Sequence, residues 1–143
     1  MGGASIVVID NNNWKKDTML NVDANPRHVV LDSNGHLFVS YNLLGKIACL
    51  EAKTGKTLFT TPTHGKPRTI ILSKNQQFLF ATCYASDTLD VFRINENSFT
   101  KINSLPCKGH PVGIDIFENN DLLEAWVCSY TYGTISVFSF RKK

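Results

Sequence analysis

The chain has 143 residues, 43% hydrophobic and 19% charged, with a formal net charge of +3. That is the make-up of one globular domain with its own core and excludes a disordered chain. The basic residues are scattered apart from the tail Arg141-Lys142-Lys143, so no nucleic-acid-binding stripe forms, and no apolar run approaches the ~18 residues of a membrane helix.

In chain order, the first strand-like run is Ile6-Val7-Val8-Ile9-Asp10, followed by the polar turn Asn11-Asn12-Asn13. A unit then opens at Pro26-Arg27-His28-Val29-Val30-Leu31 and turns at Asp32-Ser33-Asn34-Gly35. It continues through Phe38-Val39-Ser40-Tyr41-Asn42 and Ile47-Ala48-Cys49-Leu50-Glu51, turns at Lys53-Thr54-Gly55-Lys56 and ends on Thr57-Leu58-Phe59-Thr60. The next unit repeats this order. Pro67-Arg68-Thr69-Ile70-Ile71-Leu72 leads to Ser73-Lys74-Asn75-Gln76-Gln77, then Phe80-Ala81-Thr82-Cys83-Tyr84, Leu89-Asp90-Val91-Phe92-Arg93, Asn95-Glu96-Asn97-Ser98 and Phe99-Thr100-Lys101-Ile102. The last unit holds Pro111-Val112-Gly113-Ile114-Asp115-Ile116, the turn Glu118-Asn119-Asn120-Asp121, Trp126-Val127-Cys128-Ser129-Tyr130 and Ile135-Ser136-Val137-Phe138-Ser139.

Equivalent runs begin at residues 6, 47, 89 and 135, and the prolines stand at 26, 67 and 111, so the unit repeats every forty-odd residues. Val, Ile, Phe, Tyr and Thr fill the runs, and polar or Asn-Gly turns separate them. Proline suits the first strand, where no ladder hydrogen bond is yet asked of its missing N–H. Each unit therefore predicts four antiparallel strands, here called a to d, which is a propeller blade. The expected fold is all-β, with about three blades in an incomplete ring. Residues 1–23 supply strands c and d of a first blade, 24–64 and 65–108 form complete blades, and 109–143 form a last blade without strand d.

The pattern resembles the YVTN-repeat β-propellers. Leu31-Asp32-Ser33-Asn34-Gly35 and Leu72-Ser73-Lys74-Asn75 match that family's turn. Phe38-Val39-Ser40-Tyr41-Asn42 and Phe80-Ala81-Thr82-Cys83-Tyr84 match its naming strand, and Val8-Ile9-Asp10 its third strand. It is similar also to lactonase-type propellers. The Gly-His and Trp-Asp signature of Trp-Asp repeats does not recur, Gly109-His110 being a single occurrence. The strand count implies a portion of a longer repeat protein, with closure of a ring by a second copy of the chain as the alternative. The resemblance implies an exported or periplasmic parent. The chain as written shows no signal peptide, which reads as cytoplasmic.

Antiparallel geometry sends the d–a connections and b–c loops to one face and the a–b and c–d turns to the other. The first face gathers Asn25, Arg27, His64, Lys66, Arg68 and His110 with Tyr41, Asn42, Tyr84, Asp87, Tyr130 and Tyr132. Arginine forks suit carboxylates and phosphates, and tyrosines suit sugars or aromatic ligands. Arg27, His64, Arg68, Tyr84, His110 and Tyr130 are the candidate ligand-binding residues. A structural role competes with binding: the two arginines making one repeated inter-blade hydrogen bond, and Tyr41, Tyr84 and Tyr130 packing on a neighbouring blade. Trp14 and Trp126 read as packing residues, and the opposite face as plain polar turns. The cysteines Cys49, Cys83, Cys107 and Cys128 form no C-x-x-C pair, and three sit in apolar runs as small hydrophobes.

The leading expectation is a non-enzymatic module that binds a small molecule or a protein through this face, with no cofactor, no metal and no nucleic acid. The resemblance implies as an alternative a sugar-lactone hydrolase that is active only with further blades, and the open edge at Ile6–Asp10 offers an assembly element as another. No paired carboxylate or ordered Ser-His-Asp set designates a catalytic residue.

Overall fold

A computed structural model describes residues 3–142. It is built of thirteen antiparallel strands in four sheets, with no helix among the described residues. The first sheet pairs β1 (Ser5–Asp10) with β2 (Lys15–Asn21). The second runs β3 (Pro26–Leu31), β4 (His36–Tyr41), β5 (Lys46–Glu51), β6 (Thr57–Pro62). The third repeats it as β7 (Pro67–Leu72), β8 (Phe78–Cys83), β9 (Thr88–Asn95), β10 (Ser98–Pro106). The fourth holds β11 (Pro111–Glu118), β12 (Leu122–Ser129) and β13 (Thr134–Arg141). The predicted all-β, partial propeller is what forms, and the sheets do not close a ring.

Alternate residues of each strand point to opposite sheet faces, so a sheet with both faces apolar is buried between two neighbours. Leu20, Leu37, Val39, Tyr41 and Leu50 fill the space between the first two sheets. Phe38, Ile47 and Cys49 meet Ile70, Leu79 and Phe92 between the second and third. Phe80, Leu89 and Val91 meet Leu123, Ala125 and Val127 between the third and fourth. Successive opening strands β3, β7 and β11 lie side by side, which places them innermost.

The turns of the lower face do more than reverse the chain. Gln76 accepts hydrogen bonds from Ser33 N–H at 3.0 Å and Ser33 Oγ at 2.7 Å, tying the third sheet to the second. Glu118 accepts from Lys74 N–H at 2.7 Å and pairs with Lys142 at 2.7 Å, tying the fourth sheet to the third. Burial works to raise the Glu118 pKa, but the Lys142 and Lys74 donors outweigh it and hold the carboxyl below its usual range. The expectation of plain turn chemistry on this face is therefore corrected.

Two further expectations change. Trp14 is 80% exposed in a turn and does not pack as expected, whereas Trp126 is 44% exposed on the outer face of the fourth sheet. Cys49, Cys83 and Cys107 are buried, and burial pushes their thiols up to about 11, 12 and 11, whereas Cys128 is exposed.

Candidate functional site

Each opening strand carries a register break just after its proline: between Pro26 and His28, between Pro67 and Ile70, and between Pro111 and Gly113. A bulge takes a residue out of the ladder and re-aims its side chain. Arg27, Arg68 and Val112 occupy that position in the three sheets. Ser40 Oγ donates to the Arg68 carbonyl at 2.8 Å, and Thr69 Oγ1 to the Val112 carbonyl at 2.6 Å. The bulge backbone of one blade is thus pinned from the preceding blade.

Arg68 does not make the inter-blade side-chain hydrogen bond expected of it. Its guanidinium lies on the Tyr84 ring, with Cζ 4.0 Å from the centroid. Its Nε is buried without a hydrogen-bond partner. The Tyr84 ring also stacks on His110, with centroids 4.3 Å apart and planes 22° from parallel. The His110 ring is held in turn: Nδ1 lies 3.0 Å from the Tyr84 carbonyl and 3.2 Å from Asp87 Oδ1. Both neighbours are acceptors, so Nδ1 is the donor toward them. His110 N–H also donates to Asp87 Oδ1 at 2.6 Å. His110 and Asp87 both have positive φ, 58° and 52°, which marks both as tightly turned positions.

Arg68, Tyr84 and His110 come from the opening strand, the b–c loop and the following connection of a single blade. The same three positions in the blade before are Arg27, Asn42 and Lys66. In the blade after they begin Val112, Tyr130. Only the third sheet therefore completes the stack. Arg27 is exposed and lines a shallow cleft of about 410 Å³ with Asn25, Pro26 and Asn42. Asn42 Nδ2 instead donates to the Pro67 carbonyl at 3.1 Å. Tyr130 is 72% exposed, and its N–H donates to the His110 carbonyl at 3.0 Å. Gly109 is required here: at φ +46° a Cβ would stand 2.5 Å from the Tyr132 ring.

The expected equivalence of Tyr41, Tyr84 and Tyr130 is off by one residue. Tyr41 pairs with Lys46 as Cys83 does with Thr88 and Ser129 with Thr134, so Tyr41 closes β4 while Tyr84 and Tyr130 open loops. Period-two alternation turns Tyr41 into the core, where it is fully buried. Burial and the nearby Asp23 carboxylate raise its phenol.

His64 stands apart from the stack, in a cluster that residue spacing could not show. Asp90, fully buried on β9, accepts from His64 N–H at 2.8 Å and from Ser104 Oγ, and pairs with Lys101 at 3.0 Å. Burial alone would raise the Asp90 pKa; the Ser104, His64 and Lys101 donors reverse this and lower it. The His64 ring lies 3.3 Å from Ser104 Oγ. A serine, a histidine and an aspartate therefore meet, but the carboxylate takes the serine hydroxyl itself and does not orient the imidazole. That is an anchor for the β6–β7 connection and not an activated nucleophile. Among the described residues no three His, Cys, Asp or Glu side chains converge as metal ligands.

Four-stranded antiparallel sheets packed face to face around their opening strands define the β-propeller class. The family model described as "Lactonase, 7-bladed beta-propeller" matches residues 21–108, and the chain belongs to that family. Among solved structures, hydrazine synthase of Kuenenia stuttgartiensis superposes with a TM-score of 0.79 at 15% identity, over 97% of this chain and 40% of that one. The periplasmic gluconolactonase PpgL of Pseudomonas aeruginosa gives 0.65 at 12% identity, over 97% and 50%. The WD40 propeller domain of Doa1 gives 0.75 at 17% identity, over 98% and 45%. These likenesses describe the fold, and the chain spans half or less of each of those chains. No curated protein matches it.

Proposed function

We propose that the chain is a YVTN-type, lactonase-family propeller portion that binds a small anionic molecule at the Arg68–Tyr84–His110 stack. One observation carries this reading. The repeat supplies the same three positions in neighbouring blades, yet only one blade fills them with arginine, tyrosine and histidine. Tyr84 holds the guanidinium, and an arginine fork suits a carboxylate or phosphate. His110 Nε2 offers a further polar atom to a ligand, and the exposed Tyr130 and Tyr132 rings add sugar-compatible surface.

Calorimetric titration with gluconate and with inorganic phosphate tests this. Binding of either should weaken at least tenfold, about 1.4 kcal/mol, in Arg68→Ala and remain in Arg27→Ala. Equal loss in both variants, or no binding of either anion, refutes the site.

The second reading is sugar-lactone hydrolysis, favoured by the family match and by the gluconolactonase among the structural neighbours. There His110 Nε2 would act as base on an attacking water. Gluconolactone turnover above the buffer rate that disappears in His110→Gln would establish it. Turnover unaffected by that change would remove it.

A further inference from the structure

The b–c loops of the second, third and fourth sheets begin at Asn42, Tyr84 and Tyr130 and share one length. Each ends on a residue turned into the left-handed region: Gly45 at φ 61°, Asp87 at 52° and Gly133 at 57°. Glycine adopts that conformation without steric cost, whereas a residue with a Cβ is strained there. Of these three loops, only that of the third sheet places a side chain at the strained position.

The joint between loop and outgoing connection does not require that side chain. Thr63 N–H donates to the Gly45 carbonyl at 2.9 Å, and Cys107 N–H to the Asp87 carbonyl at 2.7 Å. Thr63 and Cys107 precede Pro67 and Pro111 by the same spacing, so the two bonds are equivalent. In the second sheet, backbone alone makes the joint. Asp87 adds a carboxylate, whose Oδ1 accepts from His110 N–H at 2.6 Å and lies 3.2 Å from ring Nδ1. His110 is itself held at φ 58°. Two strained residues thus meet across the joint, and strain of this kind gathers at binding and catalytic sites. Both side chains stay open to solvent, His110 at 41% and Asp87 at 47%.

The charged and titratable groups around the imidazole are Asp87, the Tyr84 phenol on which it stacks, Arg68 on that same ring, Tyr132 beside Gly109, and Lys108. Lys108 is exposed and screened by solvent. With the imidazole neutral, the charges of Arg68 and Asp87 cancel. An anion seated on Arg68 leaves one negative charge in excess. His110 then has one carboxylate at Nδ1 and a second negative group at the arginine with which it shares Tyr84. An opposite charge within ~4–6 Å favours the protonated imidazole, and histidine is the side chain that takes a proton near neutral pH. We propose that Asp87 is the positioning residue of this site and that, through it, His110 takes up one proton as the anion binds. The proton comes from solvent and is carried on Nε2, while Nδ1 keeps its own toward Asp87. This rests on the anion-binding reading of the Arg68–Tyr84–His110 stack and adds to it that the ligand enters as an anion plus a proton.

Sulfate is the probe, because its own charge is constant near neutral pH. Its dissociation constant should rise about tenfold or more from about pH 5.5 to about pH 7.5, one linked proton changing affinity by up to about tenfold per pH unit. Calorimetry in two buffers of different ionisation enthalpy should show net proton uptake. Asp87→Asn keeps an acceptor for His110 N–H but not the charge, and should move the decline in affinity to lower pH. Asp87→Gly installs the residue of the neighbouring loops, so it should fold with an unchanged far-ultraviolet spectrum and lose the proton uptake. A sulfate affinity that is independent of pH, yet abolished by Arg68→Ala, overturns the proton coupling and leaves the anion site standing. A profile unchanged in both Asp87 variants overturns the role of Asp87. Absence of binding of both sulfate and inorganic phosphate at every pH removes the anion reading together with this one.

Discussion

Tyr84 is the centre of the candidate site, and its coupling to Arg68 can be measured directly. The guanidinium carbon lies 4.0 Å from the ring centroid, well inside the ~6 Å reach of a cation–π contact. Such a contact gives roughly 0.5–1 kcal/mol in water and about 2 when desolvated. Arg68 is half-buried, with Nε shut off from solvent and unpartnered, so about 1 kcal/mol is the working value. Arg68→Ala, Tyr84→Ala and the double variant form a cycle, read by urea unfolding at pH 7 with a constant m-value. The two single losses should exceed the double loss by about 1 kcal/mol, beyond the ~0.3–0.5 kcal/mol scatter of non-interacting pairs. Tyr84→Phe keeps the ring and should retain the coupling. Strict additivity would show that the guanidinium does not rest on Tyr84 in solution, and the anion site would lose its support.

Asp90→Ala should cost about 3 kcal/mol, because it strands the His64 N–H, Ser104 and Lys101 donors; Asp90→Asn should cost less, and a loss below 1 kcal/mol in Asp90→Ala would refute the anchor. Asp90 and Glu118 are held below their ordinary 3.8 and 4.5. Their contribution is complete above those values and is lost as pH falls through the folded ones, so an acid unfolding limb below about pH 4 should flatten in Asp90→Asn. His28 is lowered from 6.5 by burial and by Arg27. The unfolded chain therefore binds this proton first, and stability should decline as pH falls below 6.5, less so in His28→Gln. Iodoacetamide at pH 8 should modify Cys128 alone in the folded chain, since the other three thiols are buried and raised; early labelling of Cys83 would contradict its packing.

The period of the apolar runs was enough to draw the strands, because alternation and turn chemistry are local properties. Site residues were legible only as members of a face. Arg68, Tyr84 and His110 were assignable to the same rim, but not to one stack, because the stacking depends on the bulge after Pro67 and on the Asp87 contact that fixes His110. The Tyr41 offset shows the limit of matching by residue type: one position in a strand separates a loop tyrosine from a core one. The Asp90 anchor was invisible for another reason. His64 and Ser104 lie forty residues apart, and Asp90 sits in a run that otherwise reads as plain apolar strand. Trp126 stands where the two preceding sheets place the buried Phe38 and Phe80, yet it is 44% exposed.

A repeat fold offers an internal control that most folds lack. Ladder pairing, the bulge and the pinning of its carbonyl recur from blade to blade with different side chains at the rim: Ser40 holds the Arg68 carbonyl and Thr69 the Val112 carbonyl. Arginine at the bulge is thus not demanded by the bulge, since Val112 satisfies it. Nor is an aromatic demanded at the first loop position, since Asn42 occupies it and bonds across to Pro67. A histidine before the proline is equally dispensable, since Lys66 stands there. The architecture tolerates other residues at all three positions, yet the third sheet brings together the three that stack. Packing needs account for the shared features and leave this combination over. All three residues belong to one blade and its outgoing connection, so the stack is assembled within the described sheets.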